Sequence, residues 1–130
     1  MMLFSSLRTR ALASSTHSHS LPHSLPHTLT RSFRSPLPKR LILVRHAESL
    51  GNKDEEAYES TPDHHITLTK KGKVQAHNLG NRLRRLIKDE PLLVYCSPYK
   101  RTKQTLYYIM ESFKDSEVYD CREEPRLAGM

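Results

Sequence analysis

Two short apolar runs limit what this chain can fold into: LILV at 41–44 and LLVYC at 92–96. Neither alternates apolar with polar residues, which is the pattern of strands buried on both faces. Between them, TKKGKVQAHNLGNRLRRLIK places Ala76, Leu79, Leu83, Leu86 and Ile87 at three- and four-residue steps, predicting a helix with one apolar stripe. Thr69 is positioned to cap its start and Pro91 to end it. Beyond the second run, Ser97 is expected to cap another helix, with Pro98 at its first position, where no amide is missed. Thr102, Leu106, Ile109, Met110 and Phe113 form its stripe, and a weaker strand is expected through Glu117–Cys121. Residues 46–67 are polar, are broken by Gly51 and Pro62, and read as a loop. The order β-α-β-α-β implies an α/β fold with parallel strands, right-handed crossovers and helices packed on the sheet.

A chain of 130 residues holds at most one domain, and its net charge of +7 has to be located before it means anything. Residues 1–40 contain Arg8, Arg10, Arg31, Arg34, Lys39 and Arg40 and no acid, whereas the remainder balances 15 basic against 14 acidic residues. The basic excess therefore belongs to a leader, and nucleic acid is not an expected partner of the rest. MMLFSSLRTRALASS sets Leu3, Leu7 and Ala11 at helical spacing in an acid-free, hydroxyl-rich, arginine-bearing stretch. That is the composition of an organellar transit peptide, for chloroplast or mitochondrion; the alternative is a tail without an address on a cytoplasmic protein. We therefore divide the chain into a disordered leader over 1–38 and a domain over 39–130. His19, His23 and His27 recur every four residues, but Pro22 and Pro26 forbid the helix that would align them, so an extended low-complexity stretch is expected. Cys96 and Cys121 are expected as reduced thiols packed like small hydrophobes. No CxxC pair frames a structural metal site, and no apolar run is long enough to span a bilayer, so neither metal nor membrane is expected.

In open α/β sheets, ligands bind at the carboxyl ends of strands. VRHAESLGN at 44–52 and SPYKRTKQT at 97–105 each follow a strand at that end, which brings Arg45 and His46 toward Arg101. Guanidinium forks bind phosphate oxygens, and the N-terminus of the helix after Ser97 adds amide donors. A neutral imidazole held against such a phosphate can attack phosphorus. A lone histidine at a strand end is usually inert; flanked by Arg45 and faced by Arg101, this one is not lone.

LVRHAESLGN resembles the Arg-His-Gly-Glu-Ser-x-x-Asn segment of the histidine phosphatase (phosphoglycerate mutase-like) superfamily. AYESTPDHHITLTKKGKVQA is similar to a subgroup pattern in which Pro-Asp-His leads to Leu-Thr-x-x-Gly-x-x-Gln-Ala. SPYKRTKQT resembles the family's Ser-Pro-x-x-Arg-Thr-x-x-Thr, and REEPRL resembles the next segment of plant members. The resemblance runs from about Lys39 to Leu127. It implies a three-layer α/β/α, Rossmann-like sheet, of which this chain carries the first β-α-β-α-β part. It also implies that His46 is the phosphate-accepting nucleophile, with Arg45, Arg101, Asn52 and Ser49 contacting the phosphate. Glu48 would have a supporting role in fixing the loop. Ala47 replaces the usual glycine, and His64 falls on Pro-Asp-His, where a solvated loop histidine is an equal reading. The family pattern continues past Pro-Arg-Leu to a glutamate that protonates the leaving group, and later to a second catalytic histidine. Here the glutamate position is Gly129, and Met130 comes after it.

The expectation is therefore a phosphohistidine-forming phosphatase or mutase domain acting on a phosphorylated small molecule without a cofactor, inactive or crippled in this N-terminal portion. The alternative is a non-catalytic phosphate-binding or interaction module. A zinc deaminase is set aside, because His46-Ala47-Glu48 lacks its Pro-Cys-x-x-Cys partner. Unpaired sheet edges are expected to allow self-association.

Overall fold

The structure is a computed structural model and describes residues 1–6 and 37–128. In chain order its strands and helices are β1 (Met2–Ser6), β2 (Arg40–Val44), α1 (Leu50–Lys53), α2 (Ala57–Ser60), α3 (Lys70–Ile87), β3 (Leu92–Cys96), α4 (Lys100–Met110) and β4 (Val118–Glu123). Single 3-10 turns occur at Asp63–His65, Asp115–Glu117 and Pro125–Leu127. The class is α/β, as the alternation of runs implied.

The sheet order is β2-β1-β3-β4. β1 pairs antiparallel with both β2 and β3, and β3 pairs parallel with β4. So β2 and β3 run in the same direction but are separated by one strand. The expected disordered leader is corrected for residues 2–6. MLFSS has a strand's period of two, with Met2 and Phe4 facing inward and fully buried. One five-residue segment satisfies the hydrogen-bonding edges of two neighbours. The helical spacing of Leu3, Leu7 and Ala11 does not prevail at Leu3; Leu7, Ala11, the histidine repeat and the rest of 7–36 lie outside the described residues, as do Gly129 and Met130.

Register explains the core. Val44, Met2 and Cys96 form one cross-strand row, and Ile42, Phe4 and Val94 the next. Against this face pack Leu83 and Ile87 of α3 and Leu106 and Ile109 of α4, with Leu79, Met110 and Phe113 partly buried beside them. The opposite face of β2 carries Leu41 and Leu43, 63% and 64% exposed. β2 is thus an edge strand open on one face and not the doubly buried strand its unbroken apolar run suggested. Leu86, expected in the stripe of α3, is also exposed. Cys96 is buried and its thiol pushed up to about 11 by desolvation, whereas Cys121 is exposed and not packed as expected.

α3 starts as foreseen, with Thr69 Oγ1 accepting from the Gly72 amide at 3.0 Å. The cap of α4 is Tyr99 and not Ser97. Ser97 is buried two residues before that cap, and its hydroxyl accepts only a long 3.5 Å bond from the Tyr99 amide. At the far end of the sheet, Glu90 binds both Lys39 and Arg40, joining the entries of β2 and β3.

Among the described residues, Phe4 is the largest fully buried side chain. Phe4→Ala should destabilise the chain by about 3–5 kcal/mol, read from urea unfolding followed by circular dichroism. A loss below about 1 kcal/mol would show that β1 is not part of the cooperative core. The Glu90 carboxyl is pulled down to about 2, chiefly by Lys39 and then by its other partners. Its folded pKa lies below its unfolded value, so its contribution is complete above about pH 4.5 and fades as pH falls toward 2. Glu90→Gln should flatten that part of the stability profile, and an unchanged acid limb would count against the link.

Candidate active site

The loop leaving β2 is held by side chains that reach in from α3 and α4. The Ala47 amide donates to Thr105 Oγ1 at 3.1 Å, and the Thr105 hydroxyl donates to the Arg101 carbonyl at 2.8 Å. The Glu48 amide donates to Gln75 Oε1 at 3.0 Å. The Glu48 carboxylate accepts from the Thr69 hydroxyl at 2.8 Å and pairs with Lys71 at 3.0 Å. These contacts, the Thr69 hydroxyl first, hold the carboxyl of Glu48 below the usual range. Gly72 makes the approach of α3 feasible, since a Cβ there would lie 2.0 Å from the Glu48 carbonyl oxygen. Glu48 therefore ties the loop to the first turn of α3 and does not face the cleft.

That anchoring presents His46 to a cleft of about 510 Å³ lined by Met1, Arg45, His46, Asn52, Tyr58 and Arg101. A larger groove of about 670 Å³ lies behind the loop, between Glu48 and the start of α3, and is lined by neither histidine nor arginine. His46 Nδ1 lies 2.8 Å from the Ala47 carbonyl oxygen. A carbonyl can only accept, so Nδ1 carries the proton and Nε2 keeps its lone pair. Burial lowers the pKa of the imidazole, and the charges of Arg101 and Arg45 lower it further against the opposing pull of the Ala47 carbonyl. The ring is accordingly neutral at pH 7.

Of the sequence-derived residues, Arg45, His46, Asn52 and Arg101 come together in this cleft. Ser49 does not: it is fully buried, and its hydroxyl and amide both donate to Asn52 Oδ1, at 2.9 and 3.1 Å. Ser49 orients Asn52, leaving the amide nitrogen of Asn52 as the donor toward the cleft. Arg101 is only 12% exposed and is engaged: Nη1 donates to the Asp63 carbonyl at 2.7 Å and to Oδ1 at 2.6 Å, and Nη2 to Oδ2 at 3.4 Å. Its guanidinium also lies over the Tyr99 ring, 4.7 Å from the centroid. His64 is exposed beside His65 and does not line the cleft. Asp63, Thr105, Gln75 and Tyr58 are site residues that the sequence pattern alone does not mark as functional. Asp63, Thr105 and Gln75 sit at fixed positions in the segments that carry the resemblance, the one signal that could have pointed to them.

The family model of the histidine phosphatase superfamily (branch 1) matches residues 41–130, which begin inside β2 and contain every cleft residue except Met1. The chain belongs to that superfamily. It is 50% identical over 97 residues to phosphoglycerate mutase-like protein AT74 of Arabidopsis thaliana, an alignment covering 70% of this chain and 31% of the relative. It is 43% identical over 100 residues to phosphoglycerate mutase-like protein AT74H of the same plant, covering 70% and 36%. Broad-range acid phosphatase DET1 of Saccharomyces cerevisiae is 28% identical over 116 residues, covering 62% and 35%. The chain thus spans about a third of the length of these curated relatives. No solved structure matches it significantly.

In phosphate-free buffer, the His46 ring protons should titrate by NMR below the ordinary midpoint of 6.5. Arg101→Gln removes one lowering charge and should move that midpoint upward. A midpoint at or above 6.5 in the unaltered chain would contradict the burial and charge placed around the ring.

Proposed function

We propose that residues 39–130 carry the phosphate-accepting half of a phosphohistidine reaction on a phosphomonoester. The observation that carries this reading is the Nε2 of His46, unprotonated and without a hydrogen-bond partner among the described residues, in a cleft with two arginines. Nε2 forms the N–P bond as the ester P–O bond breaks, and the leaving oxygen takes the electron pair. Water then attacks phosphorus, the N–P bond breaks back onto the imidazole, and inorganic phosphate departs with the proton left to solvent. Arg45, Arg101 and the Asn52 amide meet the charge on the equatorial oxygens.

A leaving alkoxide also needs a proton, and among the described residues no carboxylate lines the cleft. Glu123 pairs with Lys103 at 2.6 Å. Glu124 pairs with Arg126 at 2.7 Å, borders a separate pocket beside Leu3 and Tyr95, and is pulled down to about 2, chiefly by Arg126. A carboxyl that acidic is fully ionised at neutral pH and has no proton to give. This supports a crippled reaction in these 130 residues, and it is the observation that favours the second reading, a phosphate-binding module without turnover. Import into chloroplast or mitochondrion remains a separate proposal, resting on the leader's composition.

Absence of a general acid costs about 10²–10⁴ in rate where the leaving group needs one. The 130-residue chain should release phosphate from an activated aryl phosphate at trace rates that vanish in His46→Ala. Phosphoglycerate and glycerol phosphate should stay below detection. Robust turnover of either alkyl ester would overturn the proposal that the proton donor is missing. Aryl turnover that survives His46→Ala would overturn the phosphohistidine step.

A further inference from the structure

Among the described residues, Tyr58 is the one aromatic side chain in the wall of the His46 cleft, and nothing in the phosphoryl transfer uses it. It projects from α2, a four-residue helix, and is 42% exposed. Its ring lies directly on the backbone of α1 at Gly51. A Cβ at Gly51 would come within 2.3 Å of the ring's Cζ and 2.4 Å of its hydroxyl oxygen. A side chain at position 51 would push the ring aside, so the place it occupies depends on a buried glycine next to Asn52. The ring thus stands half exposed in the same wall as the nucleophile, packed on one side against α1.

The chemistry of the other lining groups decides what Tyr58 can touch. Arg45, Arg101 and Asn52 offer cationic and amide donors suited to phosphoryl oxygens. A phenol offers a flat apolar face and one neutral hydroxyl, which suit carbon and hydroxyl groups and not a dianion. We propose that Tyr58, seated on Gly51, is the residue that contacts the organic part of the phosphomonoester and favours esters presenting a planar apolar group beside the phosphate. This rests on the proposed phosphate site at His46.

Phenylphosphonate, which has no scissile ester bond, and inorganic phosphate serve as the two probes, each titrated into the 130-residue chain by calorimetry. The readout is the ratio of their affinities. Tyr58→Ala should lower the affinity for phenylphosphonate by roughly 3–10-fold more than that for phosphate, the scale of one aromatic contact. Tyr58→Phe keeps the ring and should keep the ratio. Gly51→Ala, which forces the ring off its seat, should shift the ratio as Tyr58→Ala does; circular dichroism verifies that each variant folds. A ratio unmoved by Tyr58→Ala, or equal losses for both probes, overturns this assignment while leaving the phosphate site standing. If the unaltered chain binds neither probe, the phosphate reading itself fails, and this inference fails with it.

Discussion

Two strands that point the same way and never touch can share a site only if something holds them at a fixed distance. Here that something is β1, which bonds to β2 on one side and β3 on the other. Adjacent strands lie about 4.8 Å apart, so the ends of β2 and β3 stand roughly 10 Å from each other. That gap is one a phosphate and two guanidinium arms can fill. β1 also reaches the loop beyond β3, since the Ser97 amide donates to the Met1 carbonyl at 3.2 Å. The cleft's width and the hydrophobic core thus depend on the same short segment.

The two roles open to that segment are incompatible. As part of an import address its residues must be accessible to a receptor. As β1 they are covered on both edges, with Met2 and Phe4 fully buried. A chain folded as described cannot offer residues 2–6 to import machinery, and a chain stripped of residues 1–38 lacks β1. If the leader is an address, import precedes this arrangement of the sheet where the leader is kept, and the arrangement does not form where it is removed.

β2, β3, α3 and the strand near residue 118 were legible in the sequence, because each is a local pattern with its own stop signal. β1 escaped because five residues are too few to separate a period of two from a helical spacing, and because its partners lie far along the chain. An unbroken run such as LILV shows that one face is buried and is silent on the other; Leu41 and Leu43 proved open. At the site, Arg45, His46, Asn52 and Arg101 could be read because each follows its strand in a recognisable segment. Asp63 and Thr105 could not, since their roles are contacts across 38 and 58 residues that only the folded chain defines. Ser49 shows the opposite failing: residue type and position suggested a ligand contact, yet burial turned its hydroxyl inward.

The pair between Arg101 and Asp63 gives the cleft a property of its own. Arg101 sits in the first turn of α4, and Asp63 in the segment that joins α2 to α3. The carboxylate is about half exposed, so dissolved ions can reach it. A cleft-lining arginine is therefore held through charge by a segment outside the lining, and added electrolyte weakens such a hold where it would leave a packed apolar contact alone. The same carboxylate neutralises an arginine that an arriving anion would otherwise meet bare. Ionic strength then acts on this cleft in two ways at once: it screens the attraction that draws an anion in, and it loosens the hold that shapes the space the anion enters.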